Sequence, residues 1–128
     1  MKEYTVKVYN DGYKQWHLNG ELHREDGPAI ECPDGSKYWC LNGQLHREDG
    51  PAVENSNGVK EWWINGERHR ENGPAIERPD GSKYWYINGK QLTEEEFNNR
   101  MKNFLVVNGK KIELSKETSN RLKQELSK

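Results

Sequence analysis

The sequence predicts a mainly β fold, an elongated meander of repeated β-hairpins closed by a small C-terminal α/β cap. Three observations carry this. A 23-residue unit returns without insertion: Tyr13 to Gly35, Ser36 to Gly58, Val59 to Gly81, then a partial copy over 82–92. Each unit holds two turn signals, an Asn-Gly pair at its middle and Asp-Gly or Asn-Gly at its end. Between the turns lie short segments rich in Trp, Tyr, Ile and Val, which favour strands.

Composition agrees. The chain has 128 residues, enough for one domain, with 31% apolar and 32% charged residues, too few apolar groups for a thick core. Its five Trp and six Tyr bury much area per residue, and its twelve Gly and five Pro punctuate turns. A formal net charge of −1 gives no global attraction to nucleic acid or anionic membrane. Cys32 and Cys40 form no CxxC or zinc spacing and do not recur in the other copies, so both are expected as free thiols. The start, "MKEYTVKVYNDG", has no apolar signal region, and no apolar run approaches a membrane span, so a cytoplasmic protein is expected.

Along the chain, residues 1–12 are expected as a half-repeat closing the N-terminal end, because "YTVKVYNDG" reads like half of a unit. Within 13–92, Lys14, Lys37, Lys60 and Lys83 align, as do Trp16, Trp39, Trp62 and Trp85. The Asn-Gly pairs begin at Asn19, Asn42, Asn65 and Asn88. His23, His46 and His69 align, each followed by Arg-Glu, whereas the fourth copy reads Leu92-Thr93-Glu94.

Strand alternation assigns faces. Lys37, Trp39 and Leu41 point one way, the packed side, and Tyr38 and Cys40 the other. If Asp34-Gly35 makes a two-residue turn, Ile30 pairs with Trp39. If Asn42-Gly43 does the same, His46 lies opposite Trp39, and Arg47 lies opposite Tyr38 on the outer face.

Residues 93–128 are expected as a helix–hairpin–helix cap. Thr93 with Glu96 reads as a capping box. Phe97, Met101, Phe104 and Leu105 fall on one helical face. A hairpin follows around Asn108-Gly109, and Ser115 caps a last helix carrying Leu122 and Leu126. Repeat arrays need such covers for their open ends; a dimerisation or partner-binding helix is the other reading.

The segment "HREDGPA" invites a catalytic or metal reading. His23, Glu25 and Asp26 could supply a base and an orienting carboxylate, or metal ligands. The same residues return at His46, Glu48 and Asp49, and again at His69, Glu71 and Asn72. Active sites are rarely built three times in one chain, and no nucleophile accompanies each histidine. The segment therefore reads as scaffold: a histidine packed on tryptophan, with cross-strand Arg-Glu and Lys-Glu pairs and an Asp-Gly-Pro turn. No catalytic residue, metal or cofactor is expected.

The period, the tryptophan and the glycine-punctuated hairpins resemble MORN repeats over residues 13 to about 92. The lysine–aromatic–"NG" half resembles the MORN-like variant of small bacterial proteins described as antitoxins. The "HREDGPA" half departs from the glycine-rich second half of that family. Repeats of this kind are also similar to those of small proteins from large tailed phages. The resemblance implies a binding or assembly role rather than an enzyme.

Function is then expected on the outer face, where the copies differ: Tyr38, Trp63, Tyr84 and Tyr86, with His17, Arg24, Arg47 and Arg70 nearby. Exposed aromatics beside arginine are the usual make-up of binding hot spots. The competing reading packs these aromatics against the cap or a neighbouring hairpin. Two functions follow. One is a module that docks a host or bacterial protein and inhibits it, as a phage inhibitor of a host defence system or host enzyme acting in the host cytoplasm would, or in an antitoxin-like or scaffolding role. The other is a sponge that stacks a cyclic or other nucleotide on the aromatics and holds its phosphates with arginine, in a monomer or across a homodimer. Nucleic acid is disfavoured, because the lysines lie on the packed side and acids match them in number.

Overall fold

The computed structural model describes residues 3–101, 104–107, 110–113 and 121. Its turns set its architecture. Asn42 and Gly43 adopt φ of 51° and 77°, and the pairs at 19, 65 and 88 do the same, so each makes the two-residue turn that needs positive φ twice. The strands they join are β1 (Tyr4–Val8), β2 (Lys14–Leu18), β3 (Glu21–Leu22), β4 (Ile30–Glu31), β5 (Lys37–Tyr38), β6 (Cys40–Leu41), β7 (Gln44–Leu45), β8 (Val53–Glu54), β9 (Lys60–Glu61), β10 (Trp63–Ile64), β11 (Glu67–Arg68), β12 (Ile76–Glu77), β13 (Lys83–Ile87) and β14 (Lys90–Leu92). Helix α1 (Glu94–Met101) and the hairpin of β15 (Phe104–Val107) and β16 (Lys110–Glu113) follow.

An antiparallel ten-stranded sheet runs in the order β1-β2-β4-β5-β8-β9-β12-β13-β14, with β3 on β2; it is an open hairpin meander and not a barrel. The hairpins β6-β7 and β10-β11 stand off this path. Trp39 is where the strand changes partner. Its N–H donates to the Ala52 carbonyl in the long sheet (2.8 Å), and its carbonyl accepts from His46 N–H in the local hairpin (3.0 Å). Backbone bonds also tie each hairpin to the next copy: Arg47 N–H reaches the Trp63 carbonyl (3.0 Å), and Gly66 N–H reaches that of Leu45 (2.9 Å). Each unit thus completes its neighbour's ladder, as a repeat array requires.

The second turn differs from expectation. Gly35 N–H donates to the Cys32 carbonyl (3.0 Å), and Cys32 N–H donates to that of Ser36 (2.9 Å), so the loop has Pro33, Asp34 and Gly35 in it rather than two residues. Pro33 presets the first turn position, the Asp34 carboxylate accepts Ser36 N–H (2.9 Å), and Gly35 takes φ 94°. The extra residue slips the register by one, which exchanges faces. Ile30 lies opposite Tyr38, not Trp39, and Tyr38 lies opposite Val53.

The core therefore shares the side of Tyr38. Val53 and Ile76 are 4% and 6% exposed, and Cys40, expected outside, is 4% exposed. Ala29, Ala52 and Ala75 are fully buried. On the other side, Lys14, Glu31, Lys37, Glu54, Lys60, Glu77 and Lys83 stand in one row of alternating charge across seven strands. Opposite charges directly across a ladder add about 0.2–1 kcal/mol each.

β1 pairs with β2 as Tyr4 to Leu18 through Val8 to Lys14, and so occupies the place that β4 has against β5 one repeat later. At the other end Thr93 N–H donates to Glu96 Oε1 (3.0 Å) and Glu96 N–H to Thr93 Oγ1 (3.1 Å), the reciprocal cap that starts α1. Helix α1 is described as Glu94–Met101, and Phe104 and Leu105 lie in β15 rather than on its face. The Asn108-Gly109 turn and the helix expected after Ser115, with Leu122 and Leu126, lie outside the described residues.

Candidate binding face

The arginines of "HREDGPA" do not face outward as expected. Arg47 lays its guanidinium over the Trp39 ring, 3.9 Å from the centroid. Its Nε donates to Asp49 Oδ1 (3.0 Å), and its Nη1 to the Pro51 carbonyl (3.1 Å) and Glu54 Oε1 (3.4 Å). Arg24 repeats this on Trp16 with Asp26, Pro28 and Glu31, and Arg70 on Trp62 with Asn72, Pro74 and Glu77. A guanidinium presents donors in a fixed fork and stacks on aromatic faces, so one side chain can clamp turn, strand and ring together. The clamp also explains the glycine. A Cβ on Gly50 would lie 2.9 Å from Arg47 Cζ. These three arginines, 21–23% exposed at their side chains, belong to the scaffold.

The histidines bridge copies. His46 Nδ1 accepts Asn65 N–H of the next turn (3.0 Å), and its Nε2 lies 3.6 Å from Glu48. His23 bonds Asn42 (2.9 Å) and Glu25 (3.3 Å), and His69 bonds Asn88 (2.9 Å), with Glu71 3.4 Å away. Nδ1 accepts a backbone N–H, so Nε2 carries the proton toward the carboxylate. Both ring nitrogens are thus engaged within the repeat array.

The variable side chains divide. Trp63, Tyr86, Glu61 and Arg68 come together. Trp63 Nε1 donates to Glu61 Oε1 (3.2 Å), and Arg68 Nε donates to the same oxygen (3.0 Å). The Arg68 guanidinium lies 4.9 Å from the Trp63 ring centroid and 5.4 Å from that of Tyr86. The neighbouring hairpins β10-β11 and β13-β14 place them: Trp63 is paired with Arg68 across the first, and Gly89 N–H bonds the Arg68 carbonyl (2.9 Å) to bring Tyr86 alongside. Sequence reasoning did not single out Arg68 or Glu61 as site residues. The signal was present, since Arg68 stands where the earlier copies have Leu22 and Leu45.

The remaining expected residues lie apart from this cluster. Tyr84 carries Arg78 over its ring at 5.2 Å. It borders an open recess of about 350 Å³ beside Gln91 and Thr93. Tyr38 donates its hydroxyl to Asn55 Oδ1 (3.2 Å). Burial first, then the nearby Cys32 and Asp34, push its phenol above the ordinary range, so it remains a neutral donor. His17 Nε2 bonds Gln15 Oε1 (3.0 Å) at the position Trp63 holds two copies later. All four aromatics are half-buried rather than free-standing.

Among the described residues, no three His, Cys, Asp or Glu side chains gather as metal ligands. No helix among them is long and apolar enough to cross a membrane. Fold and face together define a β-hairpin repeat protein whose third and fourth copies carry one elaborated aromatic–arginine surface. No protein-family model, no curated protein and no solved structure matches the chain.

Proposed function

We propose that this protein is a non-enzymatic protein-binding repeat module that docks its partner through the face carrying Trp63, Arg68 and Tyr86. The observation behind this is the arginine held between two aromatic rings at positions where the copies disagree. Repeated residues are consumed by the scaffold, so selection for binding has only the variable ones to use. Trp, Tyr and Arg dominate binding hot spots, and an arginine already fixed by Glu61 loses little freedom on docking. Tyr38 and Tyr84 stand in the row Tyr38, Val53, Glu61, Ile76, Tyr84, whose Val53 and Ile76 are buried, and they lie apart from this docking cluster.

The resemblance to MORN-like repeats and to small phage repeat proteins supports the finer reading, an inhibitor of a host defence system or host enzyme that acts in the host cytoplasm by occupying its target. A nucleotide sponge has less support. The Arg68 guanidinium already lies against both rings on which a base would stack, and Glu61 sets a negative charge beside it.

Affinity capture from bacterial lysate with native mass spectrometry tests this. A stoichiometric protein lost with Arg68→Glu and with Trp63→Ala/Tyr86→Ala, while circular dichroism stays unchanged, is the expected result. Capture that survives both variants, or release of a nucleotide instead of a protein, defeats the reading.

A further inference from the structure

The first strand ends the sheet with an uncovered apolar edge. β1 is terminal in the strand order. Among the described residues, the exposed large apolar side chains are Tyr4, Val6, Val8, Tyr9 and Tyr13, all in β1 or its turn, with Val8 68% exposed. Edge strands usually carry charge, proline or a bulge that blocks further pairing. Tyr4, Val6 and Val8 alternate along the strand and share one face.

The backbone of this edge is also defined. Tyr9 N–H donates to the Tyr13 carbonyl (2.9 Å), so this pair is hydrogen-bonded. Alternation along the antiparallel ladder then turns the backbone groups of Lys7 and Thr5 toward β2, and those of Val8, Val6 and Tyr4 toward the open side. In the interior copies the same edge is filled. Trp16 N–H donates to the Ala29 carbonyl (2.8 Å), and Lys14 stands opposite Glu31. Ala29 and Glu31 are Val6 and Val8 moved on by one period.

We propose that a second copy of this chain pairs with β1, antiparallel, about a two-fold axis through Val6. That axis sets Val6 against the partner's Val6 and Tyr4 against the partner's Val8. The outward backbone groups then bond in reciprocal pairs, and the apolar face runs on without a break. Thr5 falls opposite the partner's Lys7, so no like charges meet, and a net charge of −1 per chain gives little repulsion between copies. Such an isologous contact closes on itself and leaves the distant Trp63–Arg68 face free. It stands independently of the docking function proposed above.

Sedimentation velocity of the full chain, over the concentration range its solubility permits, should show a monomer–dimer equilibrium. Val6→Lys puts two ammonium groups face to face and should give a monomer with an unchanged circular dichroism spectrum. In the double variant Thr5→Cys/Lys7→Cys, mild oxidation should join the thiol introduced at position 5 of one copy to that at position 7 of the other, identified by peptide mass spectrometry. This arm decides the matter even if Val6→Lys fails to fold. A wild-type chain that remains monomeric, a Val6→Lys variant that still dimerises, or a double variant without that cross-link overturns the proposal.

Discussion

The Phe97 ring packs tilted against Trp85, 6.5 Å between centroids, whereas an arginine lies over each of the three preceding repeat tryptophans. Thr93 stands where the next arginine would fall, and it caps the helix that delivers Phe97. Leu92 stands where the next histidine would fall; no further Asn-Gly turn follows in the repeat for that histidine to bond. The array therefore stops by exchanging the arginine clamp within a repeat and the histidine bond between repeats for an apolar contact and a helix start.

Phe97→Ala should expose Trp85 and open this end. Phe97 is 6% exposed, and truncating a buried phenylalanine costs about 3–5 kcal/mol. Urea unfolding followed by tryptophan emission should show a lowered midpoint and a red-shifted native spectrum.

The arginine clamp predicts a non-additive pair. Arg47→Ala removes a stacked cation and its hydrogen bonds, about 2–4 kcal/mol in combination. Gly50→Ala forces a Cβ to within 2.9 Å of Arg47 Cζ and should cost about 1–2 kcal/mol. With the guanidinium gone that clash disappears, so the double variant should be no less stable than Arg47→Ala alone. A double-mutant cycle by chemical denaturation measures the coupling. Strict additivity would show that Arg47 does not occupy the space above Gly50.

His46→Ala should weaken the joint between two copies. It leaves Asn65 N–H without its acceptor, at a cost of about 1 kcal/mol for a solvent-accessible bond. Amide exchange at Asn65 should quicken more than at Asn42, whose own bond to His23 is intact. Equal protection at both amides would remove the histidine from the inter-repeat joint.

Acid should loosen the turns and the helix start. Ser36 N–H beside Asp34, Ser82 N–H beside Asp80, and Thr93 N–H beside Glu96 hold these carboxyls below their usual range. A carboxyl lowered in the folded state adds stability above its unfolded value, about 4, and loses it as pH falls through the folded value. Thermal midpoints should therefore be level near neutrality and fall below about pH 4–5. Asp80→Asn and Glu96→Gln should each flatten that fall.

The two thiols should react unequally. Burial pushes Cys40 up to about 11, and burial with the Asp34 charge raises Cys32 as well. Cys40 is 4% exposed while Cys32 is half-buried. Under native conditions at neutral pH, alkylation should be slow at Cys32 and slower still at Cys40, and unfolding should equalise them.

The face assignment made from sequence was wrong at two points, and both have physical causes. Pro33-Asp34-Gly35 offers two loop lengths that differ by one residue, and alternation alone cannot choose between them. Arg47 is joined to the backbone by a long flexible stem, so its direction follows from the rings and carboxylates around it rather than from its place in the strand. The Trp63–Arg68–Tyr86 cluster was legible in part. Comparing the copies singled out Trp63 and Tyr86, and the same comparison at Leu22, Leu45 and Arg68 would have added the arginine.

The sequence by itself determined the period, the Asn-Gly turns with their positive φ, the mainly β class and the Thr93–Glu96 cap. Each of these rests on interactions between residues a few positions apart, where backbone sterics and short side chains leave one favoured geometry. Tertiary structure alone decided which face is core, that each arginine closes on its own tryptophan, that each histidine reaches the next copy, and that Arg68 sits between two rings. Those contacts join groups from different hairpins or at the ends of long side chains, and only the packed array brings them within bonding distance.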